Sequence, residues 1–114
     1  MVNLEETIAA VATPPGQGGI GIVRLSGPRA GQIGRTVFKP ARPELFQERR
    51  LTYGWAVSLE AGQIVDEVLA VFMKGPRTYT GQDVFEIQAH GGPLVLSQVL
   101  RSCLEAGARP AGPG

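Results

Sequence analysis

Two charged residues interrupt stretches that are otherwise apolar: Arg24 in IGIVRLS and Glu86 in VFEIQA. Alternation along a strand puts Arg24 on the same face as Ile20 and Ile22, and Glu86 on the same face as Val84 and Gln88, opposite Phe85, Ile87 and Ala89. A charge on a half-buried strand face needs a partner, because leaving it desolvated and alone costs several kcal/mol. Two arrangements meet that need. The pair can be structural, each with the other or with Asp66, or reaching solvent at a sheet edge. Alternatively they line a polar pocket, where a carboxylate offers two adjacent acceptors to a ligand with two adjacent N–H donors. A guanidinium offers the complementary fork to a carboxylate or carbonyl.

The loop GPRTYTGQD, residues 75–83, has the composition of an ordered functional loop, with glycines at 75 and 81 and with Thr78, Tyr79 and Thr80 for hydrogen bonding and stacking. Its plainer reading is a long connection between strands. A histidine side chain can serve as a general base, but no serine or cysteine nucleophile stands beside His90, so it is read as a structural or ligand-contact residue. Cys103 falls within an apolar helical stripe and reads as core. No catalytic residue is assigned, and one cysteine with one histidine leaves no protein-only metal site.

The stretch PPGQGGIG, residues 14–21, spells Gly-x-Gly-x-x-Gly. A dinucleotide turn follows a strand and opens a helix whose N-terminus holds the pyrophosphate. Here a β-branched run follows instead, so a tight connection between two strands is expected. Gly-x-x-x-x-Gly-Lys-Ser/Thr occurs nowhere, so these 114 residues contain no Walker-type phosphate loop.

The elements that must position these residues fit one domain of 114 residues. A composition 43% hydrophobic and 18% charged, with net charge +1, is that of a globular chain without the general basic excess of a free-standing nucleic-acid binder; any RNA contact would have to be local. Glu5 and Glu6 stand where a leader would carry basic residues, and no apolar run approaches the length of a membrane span, so no export is expected; the cysteine usage suits a reducing, cytoplasmic setting.

Strands are expected over 7–13, 20–25, 50–58, 64–73 and 84–89, with 59–62 turning an antiparallel hairpin. The strand at 64–73 lacks alternation and is expected to lie in the sheet's interior, covered on both faces. Ser26 with Pro28 resembles a helix start, and Ala30, Ile33 and Val37 share one face of a short helix carrying two glycines, Gly31 and Gly34. Residues 38–48 read as a surface connector. Pro93 opens a second helix, with Val95, Val99 and Cys103 beside Leu96, Leu100 and Leu104, closed by Gly107. The tail GARPAGPG heads toward a further strand and is expected to be where a longer protein has been cut. The fold class is α+β, a mixed β-sheet packed with a few helices.

TIAAVATPPGQGGIGIVRLSGP, VDEVLAVFMKGPRTYTGQDVFEIQAHGGPLVL and GARPAGPG together resemble the N-terminal domain of the MnmE (TrmE) family of tRNA uridine-modification GTPases, over nearly the whole chain. The resemblance implies a fold similar to the tetrahydrofolate-binding domain of the glycine-cleavage aminomethyltransferase. It also implies that residues 1–114 form an N-terminal folate-binding and dimerisation domain, without the helical and GTPase domains. A 5-formyltetrahydrofolate would be held near a homodimer interface by Arg24 and Glu86, with Tyr79, Thr80 and His90 as further contacts. A third folate contact of the family, a lysine, would lie beyond Gly114. GTP, potassium and magnesium would belong to the absent GTPase domain, and the partners of the parent would be a flavoprotein of the MnmG (GidA) type and tRNA, modified at C5 of the wobble uridine. A free-standing folate-dependent aminomethyltransferase-like protein and a structural dimerisation domain without ligand are the alternatives.

Overall fold

The computed structural model describes residues 6–12 and 19–111. Of the glycine-rich stretch at 14–21, residues 14–18 lie outside them.

One seven-stranded sheet carries the domain, in the order β3-β4-β5-β6-β2-β1-β7. The strands are β1 (Ile8–Val11), β2 (Gly21–Ser26), β3 (Phe38–Pro40), β4 (Thr52–Val57), β5 (Ile64–Met73), β6 (Val84–Ala89) and β7 (Arg109–Pro110); the helices are α1 (Ala30–Val37) and α2 (Gly92–Glu105). Every neighbouring pair is antiparallel except β1 with β7, which makes the sheet mixed. Both helices pack on one face. Beneath them lie Val23 and Leu25 of β2, Ala56 of β4, Val68 and Ala70 of β5, and Phe85 and Ile87 of β6, all buried.

Three expectations need correction. The strand at 64–73 lies in the sheet's interior as expected, paired with β4 and β6, but it is not covered on both faces along its length: Ile64 and Glu67 are exposed, and the most buried strand is β6, five of whose six residues are buried. An apolar run without alternation marks a strand paired on both edges, as β5 is, but does not say how far the helices reach along it. Residues 38–48 are more than a connector. Phe38 opens the edge strand β3 and is fully buried, and Phe46 stacks against Phe85 with ring centroids 6.1 Å apart. Two prolines obscure it in the sequence, yet Pro40 ends an edge strand, where a missing N–H does no harm. Nor does Ser26 cap α1. The backbone N–H of Arg29 donates instead to Thr7 Oγ1 at 2.8 Å, so the residue before β1 satisfies the helix end from across the sheet.

The expected apolar faces are borne out. Ala30, Ile33 and Val37 are buried on α1, and Val99 and Cys103 on α2. Gly107, with φ of 119°, ends α2 in a conformation that disfavours side chains. The chain then adds β7 beside β1, the further strand expected from GARP. Burial pushes the Cys103 thiol from 9.0 up to about 12, so it is no nucleophile at neutral pH.

Gly34 shows why a weak helix former sits in α1. A Cβ there would come within 2.2 Å of the Phe85 ring, so the glycine sets how closely helix and sheet approach. Gly34→Ala is therefore expected to destabilise the domain by about 1–3 kcal/mol despite a helix-propensity gain of about 1 kcal/mol. At Gly31 the nearest atom is the Phe72 ring edge at 3.1 Å, part of a half-buried side chain that can shift. Gly31→Ala should be close to neutral or mildly stabilising. Urea denaturation of the two variants beside the parent checks the contrast.

Candidate functional site

The face of the sheet away from the helices holds the two charged residues. β2 and β6 pair antiparallel with Arg24 directly opposite Glu86, although 62 residues separate them in sequence. Arg24 Nε donates to Glu86 Oε2 at 2.6 Å. The pairing is uneven: the Glu86 side chain is 9% exposed and that of Arg24 31%. A carboxylate on the central strand is thus desolvated, and the guanidinium above it is its link to the surface. Asp66 takes no part in the pair; its Oδ2 accepts the backbone N–H of His90 at 3.2 Å.

Residues 74–83 arch over the same end of the face. The Tyr79 ring lies over the guanidinium of Arg24, 4.9 Å from Cζ to centroid, within cation–π range. Thr80 Oγ1 and Ser26 Oγ are 2.8 Å apart and hydrogen-bonded. Internal bonds hold the loop in shape. Thr78 Oγ1 donates to the Gln82 carbonyl at 2.6 Å, the Gly75 N–H donates to Asp83 Oδ1 at 2.9 Å, and the Gly27 N–H donates to the Asp83 carbonyl at 2.9 Å. Gly81, with φ of 79°, supplies the turn.

Four of the five sequence-derived site residues, Arg24, Glu86, Tyr79 and Thr80, therefore meet on one face. His90 does not join them. It follows Ala89, the last residue of β6, at the opposite end of that strand from the loop. Ser26 belongs to the cluster, and sequence reasoning misses it, because its type and its place before Gly-Pro suggest a helix cap. The available signal is its i+2 spacing from Arg24. Among the described residues no group of His, Cys, Asp and Glu is arranged to hold a metal ion. No helix among them is long and apolar enough to cross a membrane.

Chemically, the arrangement is a recognition point. It has a buried carboxylate with two oxygens, a guanidinium with further donors beyond the one that meets it, an aromatic face and two hydroxyls, but no activated nucleophile. Removing the exposed partner strands the buried one, whereas removing the buried charge leaves an arginine that can turn to water. Arg24→Met is accordingly expected to lower stability by about 2–3 kcal/mol and Glu86→Gln by about 1 kcal/mol. Thermal melts of the two variants should show that order; the reverse order would mean Arg24 is the more dependent partner.

Known proteins resemble the chain over nearly its whole length. The family model described as GTP-binding protein TrmE N-terminus matches residues 7–114. The chain is 56% identical over 110 residues to the tRNA modification GTPase MnmE of Roseiflexus castenholzii, covering 96% of this chain and 24% of that protein. It is 52% identical over 113 residues to the same-named protein of Symbiobacterium thermophilum, with 96% and 24% covered. For Geobacter sulfurreducens the figures are 51% over 111 residues, with 97% and 24% covered. The chain spans about a quarter of the length of these relatives.

Proposed function

Because the chain belongs to the TrmE N-terminal domain family, we propose that it is the folate-binding and homodimerisation domain of a cytoplasmic tRNA-modifying GTPase. In this reading GTP hydrolysis, with its potassium and magnesium, belongs to a part of the parent outside these 114 residues, and modification at C5 of the wobble uridine requires a flavoprotein partner of the MnmG type. The likeness to the aminomethyltransferase folate domain belongs to the same reading.

The observation that carries the site assignment is the Arg24–Glu86 pair, 2.6 Å apart beneath Tyr79. The pair fits the group. Glu86 would accept the adjacent ring N–H and amino donors of the pterin, the arrangement two carboxylate oxygens suit. Arg24 would meet an oxygen-bearing group of the folate, and Tyr79 and Thr80 would border it. The residues named here would bind and orient 5-formyltetrahydrofolate. His90 would be approached only past the other end of β6.

Dimerisation is supported by the side chains on the helix-free face. Ile22, Leu69 and Met73 are half-buried there and Ile8 is exposed, an apolar surface on β1, β2 and β5 flanking the Arg24–Glu86 pair that a second copy would cover.

Calorimetric titration with 5-formyltetrahydrofolate tests the reading. Glu86→Gln keeps the size of the side chain but turns one acceptor into a donor facing the pterin's donors. The expected loss is about 2–3 kcal/mol, roughly 30- to 150-fold in affinity. Unchanged affinity alongside a large fall in melting temperature would reduce the pair to a structural role.

A further inference from the structure

The chain's near-neutral balance conceals a strong asymmetry. Seven of its eleven lysines and arginines, Arg35, Lys39, Arg42, Arg49, Arg50, Lys74 and Arg77, fall within residues 35–50 and 74–77, together with only two of its ten carboxylates, Glu44 and Glu48. The fold brings these segments to one corner. Arg49 Nη2 donates to the carbonyls of Lys74 and Arg77 at 3.0 and 2.8 Å, the Lys74 N–H donates to Glu48 Oε2 at 3.2 Å, and Arg35 lies over Phe46 at 4.6 Å. All seven cations are exposed. Among the described residues only Arg42 and Arg49 of this set pair with carboxylates, Glu44 at 3.1 Å and Glu48 at 3.4 Å, and such exposed pairs bind weakly.

A groove of about 370 Å³ opens in this corner. Ala41, Leu45, Leu51 and Tyr53 contribute to its walls, with Arg42 and Arg50 also in the lining. Leu51 and Tyr53 are each nearly half exposed, so the groove presents apolar and aromatic surface to solvent, and the Tyr53 hydroxyl is hydrogen-bonded to Glu67. An apolar floor with an aromatic ring, flanked by guanidinium groups, is the composition that takes an unstacked base while the flanking arginines take its phosphates. The corner also adjoins the Arg24–Glu86 site, since Lys74 and Arg77 lie on the loop whose Tyr79 covers Arg24.

We infer that this corner is an RNA-contact surface, which binds the phosphate backbone of a non-helical segment of tRNA and stacks one base in the Leu45–Leu51–Tyr53 groove. The inference rests on the reading of the parent as a tRNA-modifying protein, and adds which surface of this domain meets the RNA. An acidic protein segment would answer the same charge but would gain little from the aromatic floor. With few phosphates engaged the domain alone binds weakly, in the micromolar range and with steep salt dependence.

Fluorescence anisotropy of a labelled, unmodified tRNA transcript with the whole 114-residue chain tests the inference. At low salt the parent chain should bind. Arg42→Gln/Arg50→Gln should weaken binding at least about tenfold and flatten the slope of log K against log salt by about 0.7 for each phosphate that is no longer neutralised. Tyr53→Ala should weaken it about fivefold or more with the slope unchanged, the signature of a missing stacking partner. Arg101→Gln is the control, because Arg101 is exposed on α2 and paired with Glu60 beside the far hairpin end, and it should change nothing. Absence of binding at low salt, an equal weakening in Arg101→Gln, or competition by poly-L-glutamate as effective as by unlabelled tRNA would each overturn the inference. Folate titration of the same samples keeps the two readings apart: a chain that binds tRNA through these arginines but not folate fails the folate assignment and not this one.

Discussion

Burying a carboxylate on the central strand of a sheet is the constraint from which the rest of this domain follows. Glu86 is 7% exposed in the strand with the most buried residues, where an unpaired charge would cost several kcal/mol. Its partner has to come from the neighbouring strand, at one register and on one face. That requirement sets β2 against β6 with Arg24 opposite Glu86, and a slip of one residue would turn Arg24 into the helix-covered core. The β2–β6 register then ties the N-terminal hairpin to the C-terminal half of the sheet.

The helix-covered face is built for rigidity, and the other face is left for recognition. Close approach of α1 to β6 at Gly34 and the ring cluster of Phe38, Phe46, Phe72 and Phe85 lock the strand beneath Glu86 from behind. On the open face the same strand carries its charge to the surface through Arg24, below a loop held by its own hydrogen bonds. A site placed on strands and backed by aromatic packing keeps its geometry better than one placed on loops alone, and here only Tyr79 and Thr80 come from a loop.

Much of this is legible in local pattern. Alternation identifies the faces of β2 and β6, and so marks Arg24 and Glu86 as out of place; helical spacing identifies the buried residues of both helices. What local pattern does not contain is strand order. Nothing in IGIVRLS or VFEIQA indicates that they are neighbours, so pairing with Asp66 is as reasonable from the sequence as pairing with each other. The resemblance to a known family assigns roles to Arg24 and Glu86 without saying that they touch. It also groups His90 with them, and the fold sets it past the far end of β6. Phe38 and Phe46 are hidden among prolines and charges, since a three-residue edge strand is too short to show a period.

The central claim is that the Arg24–Glu86 pair is a recognition element held ready by the fold, and not only a structural bridge. A double-mutant cycle of Arg24→Met and Glu86→Gln, read by thermal melting with and without saturating 5-formyltetrahydrofolate, tests it most directly. Without folate the two substitutions should couple by about 1 kcal/mol or more, as expected for a partly buried pair. With folate bound to the parent chain the apparent coupling should change clearly, because the ligand then shares the charges of both residues. Coupling of the same size in both conditions would contradict the claim and leave the pair as a bridge between two strands.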